Sequence, residues 1–195
     1  MKKNILIFSA LVCLLNVSAQ TYFTTDFEDG IADWTIIDSD GDGYNWEIAD
    51  YGDSDGGVLS SASWDNGTIL SPDNWIIMPG IDLTSAIAPT LYWNVKSTDS
   101  NFAAENYSIY LSTSNSFENF ENSEPSFTEV LVSSDDYMFR SVDLSDFNGE
   151  TVYIAFRHHN VSDEYRFNIK DLSIAELMTE FVQHDISSSN YQVVD

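Results

Sequence analysis

The sequence predicts an all-β fold, a jelly-roll β-sandwich of two antiparallel sheets. In three segments, large apolar residues alternate with polar ones, so one face of each strand would pack in a core. Asn, Asp, Ser and Gly recur between such segments at the short intervals that turns require. No stretch of helical periodicity is long enough to cover a parallel sheet, which favours antiparallel packing. The three segments are Leu91–Val95, Tyr107–Leu111 and Val152–Phe156.

Six further stretches are predicted strands because they are rich in aromatic and β-branched residues and end at turn residues. About nine short strands in one domain indicate a sandwich. In chain order the six are Tyr22–Phe27, Trp34–Ile37, Trp75–Met78, Phe127–Val132, Phe139–Val142 and Arg166–Ile174.

The last predicted strand contains a local conflict, because its apolar side chains change sides between Ile169 and Leu172. A β-bulge around Lys170 would produce this change. The bulge would turn Asp171 either inward or towards a sheet edge. A buried carboxylate there needs a partner, which could be a metal ion or an ion pair with Arg157 or Lys170.

Residues 1–19 are predicted to be a secretory signal peptide, so the mature protein is expected to be exported. Lys2 and Lys3 precede an apolar run at residues 5–15, and Val-Ser-Ala at 17–19 has the small-residue pattern of a cleavage site. Cleavage one residue later is the alternative. The apolar run is shorter than the roughly 20 residues of a membrane-spanning helix, so no direct membrane insertion is expected.

Residues 20–176 are predicted to form one domain, and residues 177–195 a linker or a truncated C-terminal tail. The only cysteine, Cys13, lies within the predicted signal peptide. Disulfides therefore cannot stabilise the exported domain, and a bound metal ion would serve the same purpose.

The chain is strongly acidic, with 32 Asp and Glu against 7 Lys and Arg and a net charge of −25. Such a field repels phosphate backbones and anionic lipid headgroups, so nucleic acid is not an expected partner. Cations are the natural partners, although solubility in salty surroundings is an alternative cause of the charge. Residues 38–55 contain seven acids and no Lys or Arg. A second cation near Asp53 and Asp55 is left open.

One short loop carries the sharpest chemical signal, because Asp38, Asp40 and Asp42 alternate with glycine or serine. Three clustered carboxylates repel one another by several kcal/mol unless a cation lies among them. Their spacing matches the first half of an EF-hand loop, in which the carbonyl of Tyr44 would be a ligand. Ala49 stands where the bidentate Glu should be, so further ligands must come from elsewhere. We predict a Ca²⁺ site, with a solvated acidic turn as the alternative.

Catalysis is not expected from the residue types present. The mature chain has no cysteine, and neither a nucleophile elbow nor a zinc-protease helix accompanies its histidines and serines. His158 and His159 would point to opposite faces of a strand and could not bind one ion together. His158 is therefore predicted to be a hydrogen-bonded strand residue. Paired carboxylates leave a secreted hydrolase as a less favoured alternative.

Several separated motifs have an order and spacing that, taken together, resemble the cleaved adhesin domain family, which occurs in gingipain-type adhesin regions and in exported bacterial surface proteins. The resemblance spans nearly the whole mature domain. The motifs are Asp26–Glu28, Trp34, Asp38–Trp46, Ser60–Trp64, Ser71–Pro79, Val152–Asn160 and Ile169–Asp171.

The resemblance implies a galactose-binding-like jelly roll with structural calcium where the first strand, the acidic loop and the last strand meet. Lys170 stands where the family often has another acid, which removes one expected carboxylate from the last strand. The implied ligands are Glu28, Asp38, Asp40, Asp42, the carbonyl of Tyr44 and Asp171, with Asp26, Ser61 and Ser63 as weaker candidates.

The leading functional prediction is therefore an exported, calcium-binding, adhesin-like domain at the cell surface or secreted. It would bind an extracellular protein or polysaccharide through loops at one end of the sandwich, and the resemblance implies export by a type IX pathway. The alternative is a non-catalytic spacer whose partners are neighbouring domains of a surface protein. Trp46, Trp64 and Trp75 could stack on sugar rings, but Trp46 and Trp75 are expected in the core.

Overall fold

A computed structural model describes residues 12–50, 57–132 and 136–184, with side chains from residue 20 to residue 176 of these ranges. The larger compact unit is Thr21–Glu176. The other unit consists of Met1–Gln20 and Leu177–Asp195, and its described residues are extended β structure.

Within the described residues the chain is almost entirely β. One short helix, α1 (Phe117–Glu121), and one 3-10 turn (Ser145–Phe147) interrupt the strands. In chain order the strands are β1 (Val12–Thr25), β2 (Thr35–Asp38), β3 (Glu47–Asp50), β4 (Gly57–Ala62), β5 (Trp64–Asp65), β6 (Thr68–Ile69), β7 (Asn74–Ile77), β8 (Ile81–Asp82), β9 (Thr90–Ser97), β10 (Asn106–Ser112), β11 (Phe127–Val130), β12 (Met138–Asp143), β13 (Thr151–His158) and β14 (Arg166–His184).

Two six-stranded sheets form the sandwich. The first has the order β12-β9-β14-β4-β3, with β1 also paired to β14, and the second has the order β11-β10-β13-β7-β2, with β8 also paired to β13. Strands β5 and β6 form a separate two-stranded ribbon. The ladders run antiparallel from strand to strand, which confirms the predicted all-β sandwich.

All nine predicted strands are present, but five of the fourteen described strands were not predicted: β3, β4 and the two-residue strands β5, β6 and β8. Strand β4 lies inside its sheet between β14 and β3, and its residues Gly57 to Ser61 are buried on both faces of that sheet. A doubly covered strand shows no alternation, and its serines resemble a turn. Strand β3, at the edge beside β4, was missed with it.

The core lies between the sheets and is rich in aromatic side chains. Trp93, Phe156 and Phe167 are fully buried, and Trp93 packs edge-on against Phe156 with ring centroids 6.3 Å apart. Trp46 packs edge-on against Phe167 at 5.4 Å. The prediction that Trp46 and Trp75 are core residues is confirmed, since they are 3% and 1% exposed.

The predicted bulge in the last strand is confirmed, and of the two directions left open for Asp171 the structure rules out the inward one. The pairing of β14 with β9 shifts register between Lys170 and Ser173. Asp171 has a left-handed φ of 51°, which turns its side chain outward to 56% exposure. It accepts a hydrogen bond from Asn94 Nδ2 at 3.0 Å, and Lys170 Nζ lies 4.0 Å away. Arg157, the other predicted partner, is paired elsewhere.

Buried Glu176 joins the first and last strands of the larger unit. Its carboxylate accepts hydrogen bonds from Tyr22 Oη at 2.7 Å and from the N–H groups of Ile87 and Ala88 at 2.9 and 2.7 Å. These donors, led by the Ala88 N–H, lower the pKa of Glu176.

The predicted signal peptide falls partly outside the described residues. Residues 1–11 are not described, and residues 12–19 belong to β1. No helix in the described part of the chain has the length and apolar character needed to cross a membrane.

Candidate functional site

Four loops meet at one end of the sandwich, which we call the loop end: residues 39–46, 63–73, 98–105 and 159–165. The register explains why they meet. Asn74 lies opposite both Asp38 and His158 in one sheet, and Arg166 lies opposite Ala62 in the other. The strands on either side of each loop therefore begin or end at the same level. This end carries the acidic loop predicted from the sequence.

Two glycines let the chain fold around Asp38. Gly41 and Gly43 have left-handed φ values of 74° and 85°, a conformation that costs glycine little. Their N–H groups donate to the two carboxylate oxygens of Asp38 at 2.7 and 2.9 Å. The loop thus wraps around a carboxylate that is half-buried at its base.

Asp40 and Asp42 complete a cluster of carboxylates. Asp40 accepts hydrogen bonds from the N–H groups of Asp42 and Asp73 at 3.0 and 2.6 Å, and Asp42 accepts one from the N–H of Tyr44 at 2.8 Å. One oxygen from each of Asp38, Asp40 and Asp42 lies within 4.8 Å of the others. Two oxygens that each lie about 2.4 Å from one Ca²⁺ can be up to about 4.8 Å apart, so the cluster fits a shared ion.

The electrostatics of the cluster are uneven. Burial would raise the pKa of Asp38, but the N–H groups of Gly43 and Gly41 outweigh it and lower that pKa. Burial also raises the pKa of Asp40, and the neighbouring carboxylates of Asp38 and Asp42 add to the increase. A cation among the three would relieve this repulsion.

The other predicted ligands occupy different places. Tyr44 follows the cluster in the same loop. Asp26 and Asp171 line a separate cleft of about 440 Å³ beside the first and last strands. Glu28 accepts a hydrogen bond from the Gly57 N–H at 3.3 Å, at the end of β4 that lies away from the loop end. The structure therefore places these acids in two groups. Asp53 and Asp55, the suggested second cation site, lie outside the described residues.

The weaker candidates Ser61 and Ser63 belong to a buried polar network that was not predicted. Ser61 Oγ lies 2.8 Å from His158 Nδ1, and His158 Nε2 lies 2.9 Å from Glu105 Oε2. Ser63 Oγ donates to Glu105 Oε1 at 2.9 Å. Ser61 therefore hydrogen-bonds to a histidine and Ser63 to a carboxylate, which leaves neither hydroxyl turned towards the aspartate cluster.

This network has the residue types of a hydrolase triad, Ser61, His158 and Glu105, but each is at most 2% exposed. A nucleophile must reach its substrate, so the arrangement is structural. The prediction that His158 is a hydrogen-bonded strand residue is confirmed. Glu105 gave only a weak signal in the sequence. It lies just before a predicted strand, but nothing in the sequence distinguishes it from the many acidic residues that are exposed.

His159, which directly follows β13, makes the fold sensitive to acid. Burial is the main cause that lowers its pKa to about 4, and the charge of Arg157 adds to it. Its Nε2 lies 2.8 Å from Ser108 Oγ. Because the folded pKa lies below the unfolded value of about 6.5, the stabilising effect is complete above pH 6.5 and is lost as the pH falls towards 4.

We expect the parent protein to lose about 2 kcal/mol more unfolding free energy than His159→Gln between pH 7 and pH 5. Glutamine keeps a polar partner for Ser108 but does not titrate in this range. Urea unfolding at the two pH values measures the difference. An identical pH dependence in both proteins would contradict the assignment.

Arg157 ties β13 to the base of the aspartate loop. Its Nε and Nη2 donate to the two carboxylate oxygens of Asp73 at 2.6 and 2.9 Å, and its guanidinium lies 4.6 Å from the centre of the Trp75 ring. The backbone N–H of Asp73 in turn donates to Asp40. A planar fork is needed to make both carboxylate contacts while stacking on a ring.

Arg157→Lys is therefore expected to lower the unfolding free energy by about 1–2 kcal/mol although the charge is kept. Chemical denaturation measures this loss. Lys96→Arg, a change in the opposite direction at a half-buried strand position, is the matched control. A loss below about 0.5 kcal/mol, the usual effect of a surface substitution, would contradict the role of the fork.

The fold defines a class, the β-sandwich domain of two antiparallel sheets. Residues 20–174 match the Cleaved Adhesin Domain family. The chain belongs to this family, and the resemblance inferred from its motifs is confirmed.

Relatives of known name agree with this membership. The chain is 34% identical over 174 residues to Gingipain R1 of Porphyromonas gingivalis, covering 79% of this chain and 10% of that protein. It is 31% identical over 188 residues to Hemagglutinin A of the same species, covering 86% of this chain and 9% of that protein. The chain therefore spans about a tenth of the length of these relatives.

A solved structure shows the same fold. The K3 cleaved adhesin domain of Lys-gingipain from Porphyromonas gingivalis superimposes with a TM-score of 0.69 at 31% identity. The match covers 81% of this chain and 99% of that domain. The similarity to these protease chains thus falls on an adhesin domain.

Proposed function

We propose that this chain is an exported adhesin-like domain that binds an extracellular protein or glycan through its loop end. The observation that carries the proposal is the family match over residues 20–174. The loop end adds physical support because loops held on a rigid sandwich are where binding residues usually lie. Export by a type IX pathway and location at the cell surface belong to the same proposal.

The proposal includes a Ca²⁺ ion held by the aspartate loop. Its ligands would be Asp38, Asp40, Asp42 and the carbonyl of Tyr44, with water completing the coordination. Support comes from the 4.8 Å clustering of the carboxylate oxygens and from the raised pKa of Asp40. Three carboxylates and a carbonyl are the hard oxygen donors that Ca²⁺ prefers over softer ligands.

Asp26, Glu28 and Asp171 are proposed as a second acidic group rather than as ligands of the same ion. Asp26 and Asp171 share a cleft between the first and last strands. A cation there would join the two ends of the domain. Ser61 and Ser63 are not part of the proposal because their hydroxyls serve the buried network.

Parallel arrays of glycans and of immobilised peptides test the binding function. We expect the fluorescently labelled domain, with Ca²⁺ present, to bind a defined subset of one array. A domain unfolded by urea and then diluted onto the same arrays controls for nonspecific adhesion. No binding above that control on either array would contradict the adhesin function.

The second candidate is a spacer domain whose partners are neighbouring domains of a surface protein. It is favoured by one observation, the match to about a tenth of the length of much longer relatives. Empty arrays together with a normal melting temperature would favour the spacer.

A further inference from the structure

The loop end also carries an aromatic cleft whose lining residues do not belong to the aspartate cluster. It encloses about 430 Å³ and is lined by the rings of Trp64, Phe102 and Tyr165 and by the acids Asp99, Asp163 and Glu164. These residues come from three of the four loops. Within the described lining there is no Lys or Arg.

Hydrogen bonds between the loops hold the cleft in shape. The N–H of Trp64 donates to the Tyr165 carbonyl at 3.1 Å, and the N–H of Ala104 donates to Glu164 Oε2 at 3.1 Å. The N–H of Asp163 donates to the Ser63 carbonyl at 3.3 Å. A site that is already ordered loses less conformational entropy when a ligand binds.

The aromatic side chains that line the cleft are accessible to solvent, unlike the aromatic side chains of the core. Phe102 is 47% exposed, and Trp64 is half-buried with its ring 5.7 Å from that of Tyr165. Clustered rings that remain open to solvent mark interaction sites more often than single exposed apolar residues do. The cleft therefore offers π-faces to a ligand.

The charge around these rings selects the ligand. Three carboxylates on the lining and a net charge of −25 repel anionic ligands and attract cationic ones. A cation over an aromatic face gains about 0.5–2 kcal/mol, and a carboxylate beside it adds a charge-assisted hydrogen bond.

The domain already uses this combination with two of its own arginines, one of them beside the cleft. Arg157 lies 4.6 Å from the Trp75 ring centre while binding Asp73. Arg166 lies 5.2 Å from the Tyr165 ring centre while its Nη2 donates to Asp65 at 2.8 Å. Two of the three arginines are therefore held between an aromatic ring and a carboxylate, and the cleft presents the same two kinds of group to an external ligand.

We propose that this cleft binds an arginine side chain from a basic segment of an extracellular protein partner. The guanidinium would stack on Trp64, since Arg166 already lies over the Tyr165 ring, and it would donate to Asp163 or Glu164. The inference rests on the proposed adhesin function and names its ligand class and its site. A neutral polysaccharide is the competing ligand. Because it carries no charge, it could not form ion pairs with the three carboxylates.

Fluorescence anisotropy with a labelled Gly-Arg-Gly-Arg-Gly-Arg-Gly peptide tests the inference on the full chain. A peptide with citrulline in place of each arginine is the matched probe, because citrulline keeps the shape and removes the charge. We expect the citrulline peptide to bind at least about tenfold more weakly, which corresponds to about 1.4 kcal/mol. We also expect binding of the arginine peptide to weaken as salt is added.

Variants locate the site. Trp64→Ala and Asp163→Asn are each expected to weaken binding of the arginine peptide at least about fivefold, within the range of one cation–π or charge-assisted contact. Asp163→Asn keeps a residue that tolerates the left-handed φ of 59°. Glu150→Gln makes the same charge change at an exposed position at the opposite end of β13 and should leave binding unchanged.

Four results would overturn the inference. If the citrulline and arginine peptides bind with equal affinity, the cleft does not recognise the charge. If Glu150→Gln weakens binding as much as Asp163→Asn does, the effect comes from the net charge of the domain and not from the cleft. Loss of glycan binding in Trp64→Ala would assign the cleft to polysaccharide. If the arginine peptide does not bind but the domain binds ligands on the arrays, the arginine site is rejected and the adhesin function is retained; if neither the peptide nor the arrays show binding, both proposals are rejected.

Discussion

Glu105→Ala is expected to lower the unfolding free energy by about 3–5 kcal/mol, because it removes the hydrogen-bond partner shared by two buried polar groups. Glu105 is fully buried, and it hydrogen-bonds both His158 Nε2 and Ser63 Oγ. Alanine would leave two polar groups in the core without their partner. Each unsatisfied buried group costs about 1–3 kcal/mol.

Urea unfolding measures this loss at pH 7. Glu150→Ala removes an exposed carboxylate and should change the unfolding free energy by no more than about 0.5 kcal/mol. Glu105→Gln keeps one acceptor and the size of the side chain, so its loss of unfolding free energy should lie between those of Glu105→Ala and Glu150→Ala. If Glu105→Ala lost less than about 1 kcal/mol, the network would not be a stabilising feature of the loop end.

Calcium is expected to raise the melting temperature by about 8–16 °C at a free concentration near 1,000 times the dissociation constant. Binding only to the folded state then stabilises by about 4 kcal/mol, and domains of this size gain about 2–4 °C per kcal/mol. The physical cause is the removal of repulsion among Asp38, Asp40 and Asp42. Differential scanning fluorimetry with Ca²⁺ and with chelator measures the shift.

The double variant Asp40→Asn, Asp42→Asn should lose most of this response. Glu118→Gln, Glu121→Gln makes the same charge change on exposed positions of α1 and should respond to Ca²⁺ like the parent. Mg²⁺ should shift the parent less, because it requires a stricter octahedral geometry and gives up its waters reluctantly. Equal shifts in both double variants would mean that the stabilising ion binds elsewhere.

The strands that could be predicted from the sequence are those with one face in the core. Strand β9 alternates buried and half-buried positions along its whole length, and this alternation is visible in the sequence itself. Strand β4 could not be found in this way because residues on both of its faces are buried, which removes the alternation. Its burial depends on what packs against the two faces of the sheet, which periodicity does not contain.

The candidate site likewise contains features that could be predicted from local sequence and features that depend on long-range packing. Asp38, Asp40 and Asp42 are close in sequence, so a turn alone brings them together, and their clustering could be predicted. The pairing of Ser61 with His158 joins residues 97 positions apart, and only the packing of the two sheets creates it. The bulge at Asp171 was predictable from the change of apolar side, but the outward direction depends on a left-handed φ that pattern cannot reveal.

Equilibrium dialysis with Ca²⁺ is the most direct test that the aspartate loop holds an ion. The parent chain and the variant Asp40→Asn, Asp42→Asn are dialysed against the same range of free Ca²⁺, and the bound metal is measured by atomic emission. We expect the parent to bind Ca²⁺ that the variant does not bind, while both give the same circular dichroism spectrum at saturating Ca²⁺. Equal bound Ca²⁺ in the two folded proteins, or none in either, would contradict a calcium site at this loop.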